Sequence, residues 1–183
     1  MPGKTPLLMA TTNPGKLREA REWLGVPLEG VALELEELQT SDPGWLVDHK
    51  TGQAHALLGR PVLVEDTALV FHAWGDLPGT FVKFFLQSLG CAGMVKALEP
   101  FADHTATAIC TLGYHDGERI HRFEGRMQGA IVAPRGGHGF GWDPIFQPLG
   151  SARTYGEMPP DEKRTHSMRA RALEALAGHL AGP

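Results

Sequence analysis

What the chain has little of narrows its class first. Only two cysteines occur among 183 residues, Cys91 and Cys110, in neither a CxxC pair nor a zinc-ligand spacing. A disulfide framework and a structural zinc module are set aside, and the thiols read as buried, reduced groups of a cytosolic protein. No apolar run is long enough to span a bilayer, and near the N-terminus only "LLMA" is apolar, too short for a secretory leader. An excess of one charge is lacking too: 17 Lys and Arg stand against 21 Asp and Glu, a formal net charge of −4. That balance gives no general attraction to nucleic-acid polymers or membranes, so any phosphate site has to be local. The nine histidines include no HExxH, and there is no repeat or low-complexity linker. With 42% hydrophobic and 21% charged residues, a single globular domain over residues 1–183, cytoplasmic, is expected.

The order of patterns points to an α/β fold with a mixed sheet. "PLLMA" (Pro6–Ala10) reads as a buried strand. In the segment after it, Leu17, Ala20 and Leu24 share one helical face, with Asn13 as cap, Pro14 at the first position and Gly25 at the end. "VALELEEL" (Val31–Leu38) alternates like a half-exposed strand. Asp42 and Pro43 start a helix reaching about Leu58, and "PVLVED" is the next strand. "TFVKFFLQSLG" and "AGMVKALEPF" read as two short helices. The stretch from His104 to Pro134 reads as a hairpin turning at Asp116–Gly117 and continuing into a third strand. "RGGHGFGWDPIFQP" reads as a glycine-rich loop. "PPDEKRTHSMRARALEALAGHL" reads as one final helix, with Met168, Ala172, Leu176 and Leu180 on one face.

Four places could carry chemistry. "TTNPGK", Thr11 to Lys16, lies between a strand and a helix start, where free backbone N–H groups and the positive end of the helix dipole converge. Thr11, Thr12, Asn13 and Lys16 there suit a polyphosphate, although a capped turn with a solvated lysine reads the same way. In "VLVEDTALVF", the adjacent acids Glu65 and Asp66 interrupt an apolar strand and by alternation face opposite sides. Buried carboxylates need a compensating partner, either a nearby Lys or Arg or a divalent cation such as Mg²⁺ bridging to phosphate. In "GFGWDP", Phe140 and Trp142 offer flat faces for a base, Gly141 lets backbone approach closely, and Asp143 could accept from a base edge; a tight turn with core aromatics is the alternative. The basic start of the last helix, Lys163, Arg164, Arg169 and Arg171, is either a solvated face or an anion site. Taken together, a phosphate loop, an acidic metal site, a stacking aromatic and a basic helix describe a nucleoside triphosphate site.

At these residues the chain resembles the inosine triphosphate pyrophosphatase family, the noncanonical purine NTP hydrolases. The likeness runs from about Leu7 to Leu176 and is densest in "VLVEDTALVF", "LPGTFVKFF", "GAIVAPRGGHGFGWDPIFQP" and "TYGEMPPDEK". It implies an elongated mixed sheet with flanking helices, two lobes around a central cleft, and a homodimer. It also implies Mg²⁺-dependent cleavage of ITP, dITP and XTP to monophosphate and pyrophosphate, which cleans the nucleotide pool. By position, Thr11, Asn13, Lys16 and Lys50 would hold phosphates, and Asp66 would be the essential acid, as general base or metal ligand. Glu37, and Glu65 beside Asp66, would join it in holding the metal. Thr67 would contact substrate, Phe140, Gly141, Trp142 and Asp143 would bind the base, and Lys163 matches the family's "EKN" lysine. The family reads S-H-R where this chain has Ser167-Met168-Arg169, so Met168 stands in a base-recognition position beside Arg169. On a continuous helix His166 would point about 200° away from that position, so weaker base discrimination is expected. Ala68 replaces a family glycine. Rival readings are a pyrophosphatase for pyrimidine or modified bases, a nucleotide sensor that has lost turnover, and a structural interaction domain.

Overall fold

The structure, a computed structural model, describes residues 6–182. It is an α/β fold built on a seven-stranded open mixed sheet ordered β2-β1-β3-β5-β6-β7, with β4 paired to β3. The strands are β1 (Leu7–Ala10), β2 (Leu28–Val31), β3 (Val62–Phe71), β4 (Pro78–Gly79), β5 (Thr105–His115), β6 (Ile120–Ile131) and β7 (Phe146–Pro148). The helices are α1 (Pro14–Trp23), α2 (Pro43–Leu58), α3 (Val82–Leu98), α4 (Pro160–Thr165) and α5 (Met168–Ala181). β1 runs parallel to β2 and to β3, whereas β4 pairs antiparallel with β3 and β7 antiparallel with β6. Among the described residues no helix is long and apolar enough to cross a membrane.

The chain divides into two compact units. The first comprises 1–66, 110–125 and 169–183; the second comprises 67–109 and 126–168. In the first unit, Leu8, Ala10, Val47, Ala54, Val62 and Val64 form a buried cluster between α2 and the parallel strands. Asn13 caps α1 by accepting from the Gly15 and Lys16 amides, and Asp42 caps α2 in the same way, with proline at each first position. α2 ends at Gly59 in the left-handed conformation, φ 63°. α2 also lies flush on β5, because Gly113 has no side chain: a Cβ there would overlap Thr51 Oγ1, which donates to the Val47 carbonyl at 2.6 Å. In the second unit, Trp142, Phe146 and Tyr155 pack ring on ring, with centroids 5.0–6.1 Å apart.

Four sequence expectations change. The alternating 31–38 segment is not a strand beyond Val31. Four-residue β1 ends at the Ala10–Val31 pairing, so no neighbour remains to bond it. Val31, Leu33 and Leu35 still pack on the core, and the Gln53 side chain supplies the missing partner by bonding both the N–H and the C=O of Glu36. The third strand expected after the hairpin is the continuation of one long β6. The glycine-rich stretch contains β7, which pairs with the end of β6. The final helix is two helices, because His166 leaves helical geometry at φ −109°, ψ 8°; the 200° argument for His166 therefore does not apply. α3 keeps the expected division, as Gly90 breaks it at φ 64°, ψ 175°.

Gly113→Ala is expected to destabilise the protein by about 1–3 kcal/mol in urea unfolding. Adding Thr51→Ala should recover part of that loss.

Candidate functional site

The acids of β3 are answered by cations on both faces. β1 stops opposite Val64, so Glu65 is the first β3 residue without that parallel neighbour. Its side chain is fully buried. Arg169, at the start of α5, donates to both its oxygens at 2.9 Å. The guanidinium also engages Glu19 of α1. Lys16 Nζ approaches from the α1 start, 3.5 Å from Glu65 Oε1 and 3.4 Å from its carbonyl oxygen. Burial pushes the Glu65 carboxyl up, but the Arg169 and Lys16 charges outweigh it and hold the group below its ordinary value. Arg169, which burial alone would drive toward neutrality, is held charged by Glu65 and Glu19.

Asp66 faces the α2 side. Lys50 donates to Asp66 Oδ2 at 2.7 Å and reaches Glu37 Oε1 at 3.4 Å. Burial works against the Lys50 charge, and Asp66 and Glu37 more than offset it, so its affinity for the proton rises. Two carboxylates from separate segments therefore converge on one positive charge. A divalent cation fits this donor set: magnesium takes one or two carboxylates and completes its shell with water and phosphate oxygens. Among the described residues, no group of three or more His, Cys, Asp or Glu side chains gathers as a metal cage.

The "TTNPGK" loop follows β1. Thr11 Oγ1 accepts from the Asn13 amide at 3.1 Å, and Thr12 is exposed. The Asn13 side chain closes the first turn of α1 by taking the Gly15 and Lys16 amides, so its carbonyl oxygen acts as a helix cap.

In the second unit, "GFGWDP" is organised by one buried ion pair. Asp143 Oδ2 accepts from Lys163 Nζ at 2.7 Å and from the Phe140 amide at 2.7 Å. The two side chains are only 6% and 4% exposed, so the pair offsets much of the cost of burying each charge. Gly139, at φ +75°, lies where a Cβ would overlap Asp143 Oδ2. Lys163 sits 5.0 Å from the centre of the Phe140 ring and 5.3 Å from that of Tyr155. Trp142 is buried against Phe146 and Tyr155, as a core residue, whereas Phe140 stays half-buried and Gly141 exposed. Met168 is buried, its sulfur 3.9 Å from the Tyr155 hydroxyl, which itself donates to the His166 carbonyl at 2.6 Å. Thr67 is half-buried on β3.

The first unit thus gathers Lys16, Glu37, Lys50, Glu65, Asp66 and Arg169 from the expected set, and the second gathers Phe140, Asp143 and Lys163. Glu19 and Tyr155 are not among the residues singled out from sequence. Glu19 looks like an ordinary solvated helix acid, but it shares the α1 face of Ala20 and Trp23 and is 5% exposed. Counting that helix face is the one clue that could have found it.

A mixed α/β sheet with a capped helix start and a lysine after its first strand belongs to the class that receives anionic ligands at strand ends. A profile of the Ham1 family matches residues 7–179, and the chain belongs to that family. It is 42% identical over 184 residues to an inosine triphosphate pyrophosphatase of Mycosarcoma maydis, covering 96% of this chain and 95% of that one. Among solved structures it is similar to a HAM1 protein from Coxiella burnetii, with TM-score 0.85, 27% identity, and 98% and 100% of the two chains covered. It is also similar to a nucleoside-triphosphatase, dITP/XTP pyrophosphatase from Mycobacterium abscessus, with TM-score 0.74, 28% identity, and 94% and 98% coverage.

Because the folded state holds Glu65 below its ordinary value of 4.5, its stabilising contribution is complete above that pH and is lost as pH falls below it. The stability gap between wild type and Glu65→Gln, read by urea unfolding, should narrow below pH 4.5 and stay constant above it. Asp143→Ala takes from the buried Lys163 the carboxylate it donates to at 2.7 Å, and is expected to cost about 3–5 kcal/mol in the same measurement.

Proposed function

We propose that this chain hydrolyses noncanonical purine nucleoside triphosphates, ITP, dITP and XTP, to the monophosphate and pyrophosphate, and so cleanses the nucleotide pool. The observation that carries the reading is the convergence of Glu37 and Asp66 on one cation, a donor pair suited to Mg²⁺ shared with a triphosphate. Family membership, and the likeness to the inosine triphosphate pyrophosphatase of Mycosarcoma maydis, support the same reaction.

In this reading Thr11, Thr12, Asn13 and Lys16 receive the phosphates at the α1 start, with Lys50 adding a second ammonium. Glu37 and Asp66 hold the metal, which when bound neutralises phosphate charge and acidifies water. Asp66 also accepts the proton of the attacking water. Glu65, with both oxygens on Arg169, serves the charge balance of the site instead of holding metal. Thr67 contacts the substrate. Phe140 is the stacking face for the base, on a loop held by Asp143 and Lys163, with Gly141 giving close approach and Trp142 and Met168 supporting it from the core.

Hypoxanthine and xanthine carry a carbonyl at position 6, where adenine carries an amine. A backbone N–H reads that carbonyl, since the Arg169 guanidinium is engaged by Glu65 and Glu19. Left opposite an amine, such a donor would cost about 1–3 kcal/mol. A cytoplasmic homodimer, working as one domain over residues 1–183, completes the reading on the strength of the family resemblance.

Purified protein with Mg²⁺ is expected to release pyrophosphate from ITP and XTP in preference to ATP. Release of orthophosphate alone, or no release from any of the three, overturns the reading. Asp66→Asn should lower kcat for ITP by about 100-fold or more while its unfolding curve stays cooperative.

A further inference from the structure

The buried charges around β3 are shared and not matched one to one. Arg169 is shared by two carboxylates, Glu19 of α1 and Glu65 of β3, each nearly or fully buried. Lys16 brings Glu65 a second cation, its ammonium lying against both the carboxylate and the backbone carbonyl of Glu65. Lys16 keeps 15% of its side chain exposed, whereas Glu65 keeps none. The lysine is thus the most exposed member of the set, at the start of α1.

We propose that Glu65 is a positioning residue that aims the Lys16 ammonium at the phosphates, with Arg169 and Glu19 fixing Glu65 from behind. The proposal rests on the triphosphate reading of the site and adds a role for an acid that reads as a metal ligand from sequence. Glu19 matters because it draws on the same guanidinium, which leaves Glu65 a smaller share of the Arg169 charge and a stronger pull on Lys16. With Glu19 neutralised, more of the Arg169 charge would fall to Glu65 and the hold on Lys16 would weaken.

The test is a double-mutant cycle of Glu65→Gln and Lys16→Met, with ITP as substrate. Glu65→Gln should raise KM about tenfold with kcat falling less than about threefold, and the Mg²⁺ concentration for half-maximal rate should stay unchanged. In the Lys16→Met background the same substitution should add no further rise in KM. A metal ligand would shift the Mg²⁺ dependence, and a merely structural residue would give multiplicative effects; either result overturns the proposal. Should Glu65→Gln fail to fold, Glu19→Gln takes its place, with the same dependence on Lys16 expected and its absence counting against us. Wild-type turnover of ITP is the control for the broader reading. If it is absent, that reading fails by itself, and the cycle is scored by calorimetric binding of inorganic triphosphate, where non-additivity supports the relay and additivity overturns it.

Discussion

Two neighbouring carboxylates in an apolar strand are the constraint around which the first unit is arranged. A strand presents successive residues to opposite faces, so Glu65 and Asp66 cannot share a counter-charge. Each face therefore carries its own cation: Arg169 with Lys16 for one, Lys50 for the other. Those cations come from α5, α1 and α2, the three helices of that unit. The electrostatic requirement of two residues thus reaches every helix packed there.

The two solutions differ in kind. The Glu65 side is closed at its centre: its carboxylate and the guanidinium are buried and bidentate, and solvent reaches it chiefly at Lys16. The Asp66 side is open. Lys50 reaches Glu37 at 3.4 Å, and the Glu37 side chain is 39% exposed, so this pair is longer and more screened by solvent than the Lys50–Asp66 pair at 2.7 Å. Closed and open chemistry sit one residue apart, which is how a rigid sheet can carry an adaptable site.

Much of this was legible in the sequence. Helices α1 and α2 were readable from caps and prolines, because Asn13–Pro14 and Asp42–Pro43 state where a helix begins in purely local terms. The apolar strand with two acids was readable because burial of charge demands an explanation. The end of β2 was not, since the alternation of Val31, Leu33 and Leu35 is real and only the length of β1, a remote segment, stops the pairing. Glu65 and Asp66 look equivalent in sequence; only the arrival of Arg169, more than a hundred residues later, separates them. Trp142 likewise reads as a stacking face until Phe146 and Tyr155 enclose it.

The break at His166 gives the last part of the chain an unusual sensitivity to its own length. Lys163 on α4 and Arg169 on α5 are only six positions apart, yet each inserts into a different buried ion set. Adding or deleting one residue in the short joint would turn α5 by about 100° and carry the guanidinium off its acids. Evolution can therefore vary the side chains at that corner far more readily than it can vary the count, and indels among related sequences should avoid it.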